Sequence, residues 1–168
     1  MNMNGPNAAE SYGPGGCRID SSYSAIVPGL FVGGLSALAY CPQDQGCLDL
    51  LVCCAREACG EDSGLSGPEP GAWAEVLLCP LDDEEGLPVP AGMVEPMAEE
   101  VAKRVGGGQK VLVFCAEGRN RSGLIAALAL LRLGHADPVA LLRERRHRSV
   151  LTNKTFAAYV ERVRKQEA

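Results

Sequence analysis

Cys115 closes a run of four apolar residues, Val111 to Phe114. Gly118 follows three positions later, Arg121 six positions later, and Ser122 stands next to Arg121. The residues after Ser122, "GLIAALALL", are helix formers. A strand that ends in a glycine-bearing loop and feeds a helix turns backbone N–H groups around a small anion, and the helix dipole adds positive potential there. Gly118 permits a backbone conformation that other residues resist. The planar fork of Arg121 matches two anion oxygens. A thiol at the mouth of such a loop ionises more readily than a free cysteine, and the thiolate is the nucleophile. The combination suits attack on phosphorus through a phosphocysteine, with the amides and Arg121 stabilising charge on the equatorial oxygens. With eight cysteines in the chain, the Cys-x5-Arg spacing by itself carries little. The conjunction of strand, cysteine, glycine, arginine, serine and helix carries the reading, against a plain strand–helix connector. Ser122 suits either a hydrogen bond toward the sulfur or an ordinary helix cap.

The elements that must position this loop are legible from periodicity. Residues 1–22 are rich in Gly, Asn, Ser and Pro and read as a disordered tail, leaving residues 23–168 as one domain. Pro28-Gly29 marks a turn before a short strand at Leu30–Val32. "LDLLVCCA" and "AWAEVLLCPL" have strand character, separated by a loop beginning "REACG", and "DDEEGLPVPAG" reads as a loop. Met93, Val94, Met97, Val101 and Val105 keep a helical period, which puts Pro96 in the first turn of a helix. "VLVF" reads as a buried central strand, followed by a helix over Ser122–Arg132 that stops at Gly134. Asp137 and Pro138 open another helix as cap and first residue, and "TNKTFAAYVERVRK" forms the last. Early strands alternating with helices predict an α/β fold with a central, mostly parallel sheet flanked by helices.

Bulk properties narrow the function. The chain has 168 residues, 46% hydrophobic and 22% charged, enough for one domain with a real core. A net charge of −5 argues against a general nucleic-acid-binding surface. The longest apolar stretch, Gly123 to Leu131, is too short to cross a bilayer. The N-terminus has no basic start followed by an apolar core, so an intracellular, cytoplasmic setting is expected. No Cys-x-x-Cys occurs and the only histidines are His135 and His147, so no metal site and no cofactor are expected. Most thiols are then reduced, and many are buried as small apolar groups. Trp73 reads as packing, both histidines as surface residues, and Arg143, Arg145, Arg146 and Arg148 as a solvated helix face.

Cys115-Ala-Glu-Gly-Arg-Asn-Arg121-Ser122-Gly123 resembles the C-x5-R-S/T loop of the cysteine-based protein phosphatases, and the compact length resembles their atypical dual-specificity branch. "IVPGLFVGG" is similar to that family's opening strand and turn. "RERRHRSVLTNKTFAAYV" is similar to its closing segment, with Asn153 and Phe156 at the matching places. The resemblance implies hydrolysis of phosphate monoesters in proteins: phosphotyrosine, with phosphoserine and phosphothreonine. Cys115 would be the nucleophile, and Ala116, Glu117, Gly118, Arg119, Asn120 and Arg121 the phosphate-binding loop. Ser122 would help the thiolate leave. A general acid is implied in "CPLDDEE", where Asp83 matches best and Asp82 is the runner-up. The expected partner is a phosphorylated protein, met by a monomer.

Two departures keep other readings open. Most members of the family carry histidine before the cysteine, where this chain has Phe114. That leaves a phosphate-recognising module with poor turnover as an alternative. Asn120 also occurs in the branch that removes phosphates from RNA 5′ ends, a second alternative that the negative charge opposes. Cys53 and Cys54 end a strand expected beside Val111–Phe114. One of them could form a protective disulfide with Cys115, against the plainer reading of buried thiols.

Overall fold

A computed structural model describes residues 23–59 and 73–168. The tail assigned to residues 1–22 and most of the loop after Ala58 lie outside the described residues. The strands are β1 (Tyr23–Val27), β2 (Leu30–Gly33), β3 (Leu48–Ala55), β4 (Trp73–Leu81) and β5 (Val111–Phe114). They form one sheet in the order β1-β2-β5-β3-β4. β1 and β2 pair antiparallel through the turn at Pro28-Gly29, and the remaining pairings are parallel. The mixed, mostly parallel sheet has the expected architecture, with β5 at its centre.

The centre of the sheet explains the composition of β5. All four of its residues are buried. Strands covered on both faces read as unbroken apolar runs rather than alternations. The same holds for β3, where seven of eight residues are buried. β4, at the edge, keeps most of its residues only partly covered.

The helices are α1 (Ala37–Gln45), α2 (Ala91–Gly106), α3 (Arg121–Arg132), α4 (Pro138–Arg145) and α5 (Lys154–Glu167). α3 is the hub. Its first ten residues, Arg121 to Leu130, are all buried. It packs on β2, β3 and β5 and against α2, α4 and α5. Small alanines let these neighbours approach, and Leu124, Ile125 and Leu128 supply the buried volume. Asp137 caps α4 by accepting from the Ala140 amide at 3.1 Å, with Pro138 in its first turn, as expected.

Three elements differ from the sequence reading. β1, ahead of the Pro28-Gly29 turn, adds a strand to those expected and carries Tyr23, a fully buried side chain. α1 is likewise an addition. It buries only Ala37 and Cys41 and contains Pro42, so it has no apolar stripe to read. α2 starts at Ala91, two residues before the first apolar position, because the Pro90 carbonyl accepts from the Met93 and Val94 amides. Pro96 therefore lies in the second turn rather than the first.

Candidate active site

β5 delivers Cys115 to the carboxyl edge of the sheet, the edge where open α/β sheets bind ligands. The cysteine is 3% exposed, and its amide donates to the Gly33 carbonyl of β2 at 3.2 Å. The loop from Ala116 to Asn120 then wraps around the sulfur. Gly118 takes φ +69°, and its amide donates to Cys115 Sγ at 3.2 Å. A side chain there would meet the Gly33 carbonyl carbon at 2.6 Å, so both conformation and space demand glycine.

Every loop carbonyl is held from outside. Ala116 O accepts from the Leu35 amide at 3.2 Å, Arg119 O from the Leu151 amide at 3.1 Å, and Asn120 O from the Leu124 amide at 2.8 Å. Glu117 O and Gly118 O accept from Arg146 Nη2 and Nε at 3.3 and 3.4 Å. The C=O and N–H of a trans peptide point in opposite directions. Carbonyls fixed outward therefore leave the following amides turned toward the sulfur, forming an anion-binding nest.

Arg121 opens α3 and is 8% exposed. Nη1 and Nη2 donate to the two carboxylate oxygens of Glu57 at 2.6 and 2.8 Å, and Nη1 also donates to the Leu81 carbonyl at 3.2 Å. Nε is buried with no partner among the described residues. A buried guanidinium N–H without an acceptor costs free energy, and here an oxyanion oxygen in the cavity would supply one. Paired with Arg121, the Glu57 carboxyl is lowered to about 2, and Glu57 in turn raises Arg121 above its usual value. Glu57 sits in a short 3-10 turn, Arg56–Ala58, that leaves β3. Sequence reading missed it. The one available signal was its place just beyond a strand at the carboxyl edge.

Ser122 Oγ lies 3.2 Å from Cys115 Sγ. It does not cap α3, whose cap position is Asn120 without a side-chain cap bond. Asp83 lines a cavity of about 190 Å³ together with Cys115, Ala116, Glu117, Arg119, Asn120 and Arg121. Two amides hold its carboxylate: Asn120 Nδ2 donates at 3.0 Å and Asn153 Nδ2 at 2.8 Å. Asn153 also caps α5, accepting from the Phe156 amide at 3.2 Å, and its own amide donates to Asn120 Oδ1 at 2.9 Å. Asp82 instead pairs with Arg56 at 2.9 Å and does not line this cavity. At the rim, Arg119 Nε lies 3.2 Å from Glu117.

Arg146 corrects the expectation of a solvated arginine face. It is 7% exposed and braces the loop, while Arg143 donates to the Val150 and Leu151 carbonyls. Arg143, Arg145 and Arg148 are exposed, as expected, so the correction concerns Arg146 alone. Cys53 was a candidate neighbour for Cys115, but its sulfur sits 3.2 Å from Cys59 Sγ. Cys54 is fully buried and hydrogen-bonds Cys79, with Cys115 near enough to raise it further. No group of side chains among the described residues is arranged to hold a metal ion.

Solved structures show the same architecture. Human DUSP28 superposes with a TM-score of 0.69 at 20% identity, covering 86% of this chain and 93% of that one. Human tyrosine phosphatase-like serine/threonine/tyrosine-interacting protein gives 0.64 at 21%, covering 87% and 97%. Tk-PTP in its active form gives 0.69 at 17%, covering 86% and 97%. The chain therefore has the fold of the dual-specificity and tyrosine phosphatases, in its compact form. No protein-family model matches the sequence, and no curated protein matches it significantly. Among the described residues, no helix is long and apolar enough to cross a membrane.

Proposed function

We propose that this chain hydrolyses phosphate monoesters of proteins, phosphotyrosine together with phosphoserine and phosphothreonine, through a phosphocysteine. The observation that carries the reading is the loop itself. Five consecutive carbonyls are tied outward around one buried sulfur, and Arg121, whose Nε has no partner among the described residues, lines the same cavity.

The phosphoryl group docks on the loop amides and on Arg121 Nε. Cys115 Sγ attacks phosphorus, the P–O bond to the leaving oxygen breaks, and Asp83 gives that oxygen its proton. Water then attacks the phosphocysteine. Asp83 takes a proton from that water, the P–S bond breaks, and Ser122 Oγ donates to the departing thiolate. Asn120 and Asn153 hold the Asp83 carboxylate from two sides and so fix its position over the cavity.

A phosphate-recognising module with little turnover is the second reading, favoured by Phe114. It is fully buried and pairs with Gly33 and Cys53, so no imidazole stands behind the nucleophile. Asn120 does not favour RNA ends, because both ends of its amide are already engaged with Asp83 and Asn153.

The test is hydrolysis of a small aryl phosphate from pH 5 to 8, comparing the native chain with Cys115→Ser and Asp83→Asn. Activity that vanishes in the first variant and falls steeply in the second supports hydrolysis. A native chain as inactive as Cys115→Ser, yet binding tungstate or phosphate, selects the binding module.

A further inference from the structure

Two thiols outside the phosphate loop stand closer than ordinary sulfur neighbours. Cys59 Sγ lies 3.2 Å from Cys53 Sγ and 3.7 Å from the Cys53 carbonyl. Cys53 is buried near the end of β3, and Cys59 is half-buried just past the Arg56–Ala58 turn. The chain between them is a single turn, so the two sulfurs are held together by local backbone rather than by distant packing. The Cys59 amide, bonded to the Arg56 carbonyl at 3.1 Å, closes that turn. A disulfide needs a sulfur separation of about 2 Å, which requires a shift of about one ångström along a line already open between the two atoms.

The structure assigns Cys53 and Cys59 as a redox-active dithiol that closes to a disulfide under peroxide, separately from Cys115. Accessibility sets the order of events. Cys115 is 3% exposed and Cys54 is fully buried, whereas Cys59 is part-exposed. Hydrogen peroxide oxidises the Cys59 thiol to a sulfenic acid and leaves as water. The Cys53 sulfur then attacks the sulfenic sulfur, the S–O bond breaks, and the departing hydroxide takes the Cys53 proton as a second water. In total, two thiols lose two electrons and peroxide gains them. Burial and the Cys59 thiol push Cys53 up to about 12, so Cys53 is not the thiol that peroxide oxidises first.

The bridge has a structural consequence. The segment it closes carries Arg56 and Glu57, which hold Asp82 and the phosphate-loop arginine Arg121. Cross-linking its two ends pins the turn to β3 and removes its freedom to open. This inference concerns thiol chemistry and the turn, and does not depend on whether the chain turns over phosphate esters.

The experiment is a peroxide titration of the full native chain. Digestion with trypsin and with a protease that cleaves after Asp and Glu follows, under non-reducing conditions. Cleavage after Asp49, Arg56, Glu57 and Glu61 puts Cys53 and Cys54 in one peptide, 50–56, and Cys59 alone in another, 58–61. The expected result is those two peptides joined, with fragmentation between Cys53 and Cys54 placing the bond on Cys53, and the same link in Cys54→Ala. Hydrogen exchange at the Cys59 amide should slow several-fold in the oxidised chain and stay unchanged in peroxide-treated Cys59→Ser. The exposed Cys47, whose thiol turns to the Leu48 carbonyl, is the internal control for unpaired oxidation. A bridge from Cys54 to Cys115 or to Cys79 in place of this one would overturn the assignment. So would Cys59 passing to sulfinic acid without a bridge, or a bridge that leaves the exchange rate at Cys59 unaltered.

Discussion

Arg121 and Glu57 form a two-pronged ion pair, with both carboxylate oxygens on the two terminal guanidinium nitrogens at 2.6 and 2.8 Å. The pair uses both terminal nitrogens of the fork and leaves Nε buried without a partner among the described residues, in a residue that lines the cavity with Cys115. Glu57 thus sets the rotation of a residue to which it contributes no phosphate contact of its own.

Replacing Glu57 should loosen Arg121 without removing it. Hydrogen bonds to charged groups contribute about 1.5–3 kcal/mol, but the Glu57 side chain is 55% exposed, so screening reduces this to about 1 kcal/mol. Glu57→Gln is expected to weaken tungstate or phosphate binding about fivefold by calorimetry, with little change in the unliganded fold. The pH dependence has a definite sign. The carboxyl is lowered from 4.5 to about 2, so its stabilisation is complete above pH 4.5 and is lost as pH falls toward 2. The Tm gap between native and Glu57→Gln should close over that window.

Asp83 and Asp82 are adjacent in sequence and opposite in role. Asp83→Asn is expected to lower kcat by about 100-fold or more, the usual scale for a positioned proton donor. The loss should shrink for aryl esters whose leaving group needs no proton. Asp82→Asn removes only an exposed ion pair with Arg56, whose partners are 58% and 49% exposed. It should change kcat less than about twofold. Equal losses in the two variants would remove Asp83 from its assigned role.

Asn153 joins a helix cap to the acid. Asn153→Ser keeps an oxygen for the Phe156 amide but removes the donor to Asp83 Oδ1. Asn153→Ala removes both. Melting should separate them by about 1 kcal/mol, the usual worth of a cap. Both variants should show the same fall in kcat, large for esters whose leaving group needs a proton and small for activated aryl esters, a split that a purely structural cap would not produce.

Gly118→Ala should damage the loop from within. The residue is at φ +69°, and an added carbon would sit 2.6 Å from the Gly33 carbonyl carbon. A cost of about 2–3 kcal/mol is expected in urea unfolding. Oxyanion binding should be lost even where the variant stays folded, because Gly118 can no longer turn its amide to Cys115 Sγ.

Local sequence carried the loop. Val111 to Leu131 is one continuous strand–loop–helix unit, so Cys115, Gly118, Arg121 and Ser122 meet through bonds only a few residues apart. Backbone propensity and apolar periodicity dictate such a unit without help from elsewhere. The central position of β5 could be read for the same reason: a strand covered on both faces must be apolar throughout.

Tertiary structure decided everything that reaches this unit from outside. Glu57 meets Arg121 across a separation of 64 residues, Asn120 meets Asp83 across 37, and Asn153 meets Asp83 across 70. The choice between Asp82 and Asp83 depends on which carboxylate the end of β4 turns toward the loop, and alternation along one segment does not say which side holds a partner. Arg146 looked like its neighbours in sequence, yet it alone of that arginine run is buried against two loop carbonyls. Charged side chains take the environment that distant backbone gives them. Residue type therefore told what chemistry the loop could do, while the packing of β3, β4 and α5 around it told which residues hold it in place.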